Sequence, residues 1–157
     1  MIRHTVVILF GILAQLAWSQ TPKNQICVSA VQQAYSTLEF EGPGYGSYYV
    51  TSCLNPMRIA SIYVSSRRYC KPDEIVPGFE GLNGICETYG GVSILPESAV
   101  AANLTDDAIE RMPVLDMEEV PTTENVTAPF IISRSWFDLS FRTTVSLTAA
   151  AIRSFVS

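Results

Sequence analysis

Four cysteines, Cys27, Cys53, Cys70 and Cys86, constrain this 157-residue chain more than any other feature. Their number is even, their spacings are wide, and no CxxC pair occurs. The one histidine, His4, stands well before them. Zinc sites use closely spaced cysteine or cysteine–histidine pairs, so this pattern reads as two disulfides in a small domain facing an oxidising compartment.

The N-terminus carries a matching address. Arg3 and His4 form a short basic region, and Val6-Val7-Ile8-Leu9-Phe10 lies at the heart of an apolar stretch from Thr5 to Ala17. Ala17 and Ser19 place small residues three before and one before a cut ahead of Gln20. These 13 residues fall short of the about 20 that a spanning helix needs. Met1 to Ser19 is therefore predicted to be a cleaved signal peptide, and the mature chain to be extracellular or luminal. No later stretch is long and apolar enough to predict a transmembrane segment.

Helical periodicity then ties the cysteines together. Cys27, Val31, Ala34 and Leu38 form one stripe, which Glu41-Gly42-Pro43-Gly44-Tyr45-Gly46 ends. A second helix is predicted from about Ser52 to Tyr69, with Cys53, Met57, Ala60 and Val64 on one face and Pro56 in the first turn. A third starts at Pro72 and carries Ile75, Phe79, Leu82 and Cys86, although Pro77, Gly78, Gly81 and Gly84 weaken it. Cys53 and Cys70 would then sit at opposite ends of one helix, ~25 Å apart, whereas a disulfide needs Cα atoms within about 7 Å. An up-down-up arrangement of the three helices pairs Cys27 with Cys70 and Cys53 with Cys86.

The rest of the chain is less regular. Val92 to Pro96 is predicted to be extended or a turn, and a short fourth helix starts at a Thr105 cap with Asp106 and Asp107 at its positive end. Residues 113–129 look like a linker, with Pro113, Pro121 and Pro129 and the acidic Asp116-Met117-Glu118-Glu119. Phe130-Ile131-Ile132 and Trp136-Phe137 return to apolar character. The predicted fold is mainly α: a small disulfide-stabilised helical domain over 20–112, with an irregular C-terminal third. Asn103-Leu104-Thr105 and Asn125-Val126-Thr127 are sequons, making Asn103 and Asn125 the candidate glycosylation sites.

Little in the mature chain points to catalysis. Without His4 it has no histidine for a bis-histidine haem, a Ser-His-Asp triad or a Cys-His pair. The glycines at 42, 44 and 46 lack the strand-to-helix context of a phosphate loop. The carboxylates Asp106-Asp107, Asp116 with Glu118-Glu119, and Glu39 with Glu41 are explained by a helix dipole, a solvated linker and a turn. Catalytic, cofactor-binding and metal residues are accordingly expected to be none. With a net charge of −5 and scattered Lys and Arg, no nucleic-acid partner is expected. Tyr45, Tyr48, Tyr49, Tyr63 and Tyr69 gather around helix two, where packing is the expected role and a sugar platform the alternative.

An ordered set of segments resembles one known family. These are Cys27-Val28-Ser29-Ala30, Ser47-Tyr48-Tyr49 leading to Cys53-Leu54-Asn55, Ser61-Ile62-Tyr63, Tyr69-Cys70, and Gly78-Phe79-Glu80-Gly81-Leu82-Asn83-Gly84-Ile85-Cys86. Ala101 to Thr105 and the Ile131-Ile132-Ser133 to Leu139-Arg142-Thr143 stretch follow. Together they resemble the N-terminal extracytoplasmic region of fungal ferric reductase transmembrane components. The resemblance implies a membrane oxidoreductase that passes electrons from NADPH through FAD and haem to ferric or cupric ions outside. Its haem, FAD and NADPH sites lie in parts that match nothing here, so it implies no enzyme activity for this chain alone and only a structural role for the cysteines. Ferric or cupric ions at the outer face are the one partner it implies.

The segment 130–144 continues the resemblance, and 145–157 departs from it. Where the family runs on toward its first membrane span, Val145-Ser146 can be encoded by GTNAGT, the form of a 5′ splice site. The tail therefore reads as translated intron or frameshift. The competing reading is a free-standing secreted binding or effector protein held by its disulfides.

Overall fold

The computed structural model describes residues 21–100, 104–120 and 124–154, with side chains as far as Ala149. The expected leader at 1–19, Asn103 and the last residues of the tail lie outside this description. The chain is mainly helical, with two disulfides and a less regular C-terminal part. The bridges are Cys27–Cys70 and Cys53–Cys86, as helix geometry predicted.

Helix α1, Ile26–Ala34, follows a 3-10 turn at Lys23–Gln25 and lies at the centre. Cys27, Val28, Ala30, Val31 and Ala34 are all buried. The helix ends a turn earlier than the stripe to Leu38 predicted. The Tyr35 carbonyl accepts from the Arg58 guanidinium at 2.6 Å and from the Leu38 N–H at 3.3 Å, a turn rather than a helical bond.

The predicted second helix is two helices, α2 (Tyr48–Leu54) and α3 (Pro56–Tyr69). Pro56 is the cause, since the residue before a proline is driven out of the helical region. Asn55 sits there with φ −75° and ψ 114°, and its side chain caps α3 by accepting from the Arg58 N–H at 3.0 Å. Helix α3 is buried over Arg58–Ser66, and its serines and alanine let neighbouring elements approach.

Helix α4, Pro72–Ile85, keeps Pro77 inside it and runs on into a π-helical turn at Cys86–Gly90, which ends at Gly91 with φ 66°. Gly78 is required by packing. A Cβ there would lie 2.3 Å from Val28 Cγ2, so the missing side chain is what lets α4 settle onto α1.

Two short helices follow, α5 (Glu97–Val100) and α6 (Asp106–Glu110). Thr105 Oγ1 caps α6 by accepting from the Ala108 N–H at 3.2 Å, as expected. Strand β1, Val114–Leu115, pairs in parallel with β2, Ile131–Ile132. In the stretch expected to be linker-like, Val120 is buried and Val126 bridges to Phe40. Helix α7, Arg134–Ser154, then packs its first turns back on α1. Within the segment expected to be irregular, this is the one long regular element.

The core forms around Tyr35. Its ring meets Phe130 edge-on at 5.2 Å and lies near Phe40 and Trp136. Tyr69 stacks on Phe137 at 4.7 Å and donates to the Ile132 carbonyl at 2.7 Å. Among the described residues no helix is long and apolar enough to cross a membrane.

Candidate functional site

The loop at 36–44, helix α2 and the start of α3 enclose an open cleft of about 460 Å³. Local sequence fixes each wall. Asn55 is buried, and besides capping α3 it donates to the carbonyls of Glu41 at 3.0 Å and Phe40 at 3.4 Å. Gly42, at φ 146°, passes so close that a Cβ would lie 3.0 Å from Asn55 Nδ2. The Tyr45 N–H donates to Thr51 Oγ1 at 3.2 Å, pinning the far end of the loop to α2.

Arg58 stands at the back of the cleft and is only 4% exposed. One guanidinium nitrogen donates to the Tyr35 carbonyl at 2.6 Å, so the cation meets the negative end of α1. The Tyr48 phenol faces the guanidinium and donates its own proton to the Ser36 carbonyl at 2.9 Å. Burial lowers the proton affinity of Arg58, and the Tyr48 oxygen opposes that effect. Among the described residues no carboxylate lies within 4.0 Å of it, and the ion pairs are Arg67–Glu97 and Arg134–Asp138. The cleft lining combines neutral hydroxyls and amides with the apolar Leu38 and Phe40, and Glu39 is exposed on it.

Sequence reasoning missed Arg58. A signal was present, since Arg58 is the one charge in the run from Met57 to Ser66.

The carboxylates singled out in the sequence do not converge. Asp116 Oδ2 accepts from the Ser135 hydroxyl at 2.6 Å and Oδ1 from the Met117 N–H at 2.7 Å. These hydrogen bonds, that of Ser135 foremost, hold its carboxyl below the usual range. Glu119 accepts from the Asp116 N–H at 2.7 Å, so this acidic run is bound up in its own turn and the start of α7. Asp106 and Asp107 stand in the first turn of α6, and Glu39 and Glu41 flank the cleft loop. Among the described residues no three His, Cys, Asp or Glu side chains gather to hold a metal ion.

The tyrosines divide into two sets. Tyr63 stacks on Phe79 at 4.0 Å and Tyr69 on Phe137, so both serve the core; burial raises the Tyr63 phenol above its ordinary range. Tyr45, Tyr48 and Tyr49 are exposed, and Tyr49 stacks on exposed Tyr89 at 5.1 Å. Asn125 is exposed on the rim of the Arg58 cleft. No family model matches the chain, and no curated protein or solved structure matches it.

Proposed function

We propose that this chain is the extracytoplasmic N-terminal domain of a ferric or cupric reductase-like membrane oxidoreductase, carrying no redox centre itself. The observation behind this reading is the ordered series of segments from Cys27 to Thr143. Its four cysteines form two bridges that close wholly within the series. Several of its other residues are ones the fold needs: Gly78 at the α1–α4 contact, Asn55 at the helix break, and Tyr69 with Ile132 across the core.

In this role the domain enters the secretory pathway through the leader at 1–19 and faces the lumen or the outside. It carries glycan on Asn103 and Asn125 and covers the outer face where the parent reduces ferric or cupric ions. Haem, FAD and NADPH belong to the parent's other parts. Two disulfides are compatible with that compartment.

Sequencing full-length transcripts across the codons for Arg142 to Ser157 tests the reading. Messages that splice into apolar spans bearing histidines support it. Messages that all stop after Ser157 overturn it in favour of a free-standing secreted binding protein. On the purified mature chain, a haem absorption band or NADPH-dependent ferric reduction contradicts the absence of a redox centre.

A further inference from the structure

Arg58 is a nearly buried cation with no anionic partner among the described residues. A guanidinium offers five N–H donors and stays charged at every ordinary pH. Burying such a charge is unfavourable unless it is paired and fully hydrogen-bonded. Here the Tyr35 carbonyl takes one donor, the Tyr48 oxygen faces the guanidinium, and no carboxylate among the described residues stands within ion-pair distance. Capping the end of α1 needs only one N–H. The side chain also lines a cleft of about 460 Å³, within the size range of small-molecule sites.

The lining narrows the chemistry of an occupant. The planar fork of arginine matches a carboxylate. Thr51 and Ser52 lie along the cleft wall, and Ser36 and Tyr48 complete a hydroxyl-rich surface. Such groups both donate and accept, which suits an alcohol. The positive end of α3 opens at the same place and adds to the field that favours an anion. Glu39 on the lining and Glu41 beside it oppose a second negative charge.

We propose that this cleft binds a small hydroxycarboxylic acid bearing a single negative charge, its carboxylate on Arg58 and its hydroxyls on the side chains of the α2 wall. Asn125 is on the rim, so glycan attached there would stand at the entrance.

The test is calorimetric titration of the disulfide-intact mature chain with sodium gluconate, acetate and citrate. It is done with and without Thr127→Ala, which removes the sequon. Gluconate is expected to bind, with acetate weaker for want of hydroxyls and citrate weaker by about tenfold for its extra charges. Arg58→Gln should abolish gluconate binding. Because Arg58 also ties down the Tyr35 carbonyl, a second variant leaves it in place. Ser52→Asp sets a carboxylate on the cleft wall and should weaken gluconate by about tenfold or more, with the near-ultraviolet circular dichroism unchanged. Failure of gluconate to bind either glycoform, or undiminished binding in a folded Ser52→Asp chain, overturns the proposal.

Discussion

The Tyr35 hydroxyl donates to the Phe130 carbonyl at 2.9 Å, joining the end of α1 to a residue 95 positions later. The same oxygen lies 2.7 Å from Ser65 Oγ. Removing it with Tyr35→Phe leaves a buried carbonyl and a buried hydroxyl short of a partner. We expect a loss of about 1–3 kcal/mol of stability, read as a lower urea midpoint with an unchanged slope.

Burial also raises the Tyr35 phenol above its ordinary pKa. The folded state therefore holds this proton where the unfolded chain has lost it. The stabilisation is complete below about pH 10, the unfolded value, and falls by up to about 1.4 kcal/mol per unit above it. Tyr63, also raised by burial, contributes with the same sign. Denaturation curves between pH 8 and about pH 11 should show stability falling with pH in the wild type and a shallower fall in Tyr35→Phe. Parallel curves would show that Tyr35 does not govern this limb.

Two glycines of α4 should respond in opposite directions. Gly78→Ala puts a Cβ 2.3 Å from Val28 Cγ2 and 2.5 Å from Val28 Cβ, and neither atom is the free end of a long side chain. A destabilisation of about 1–3 kcal/mol is expected, and Val28→Ala should recover part of it in a double-mutant cycle. Gly84 has nothing within 4 Å of an added Cβ. Gly84→Ala should raise stability by about 0.5–1 kcal/mol through helix propensity alone.

Ser66 Oγ is the one buried side-chain polar atom among the described residues without a hydrogen-bond partner. Its desolvation is uncompensated, and alanine is the better residue inside a helix. Ser66→Ala is expected to leave thermal stability unchanged or raise it by up to about 1 kcal/mol. A clear loss on calorimetry would mean that the hydroxyl has a partner in solution.

Helix spacing made the cysteine pairing legible, because each bridge joins helix ends that any up-down-up packing brings together. The break at Asn55 was not legible, although Pro56 was in view. Proline in a first turn and proline forcing its predecessor out of the helix are the same residue read from two sides. The glycines of α4 looked like weaknesses, since a single segment does not reveal that Val28 will press against one of them. Strands of two residues carry no period, so the pairing of Val114–Leu115 with Ile131–Ile132 left no trace. Arg58 escaped notice because one charge in an apolar run looks like a solvated edge until the loop at 36–44 closes over it.

The long reach from Tyr35 to Phe130 and Trp136 has a consequence for the order of assembly. Chains are made from the N-terminus, and both bridges lie wholly within residues 27–86. All four thiols have therefore emerged before the aromatic residues that close the core exist. A completed interior is not there to proofread the first cross-links. Any bridge that closes this early rests on the stretch from Ile26 to Cys86 alone, and reshuffling over seconds to hours lets the later segment select among the pairings once it docks.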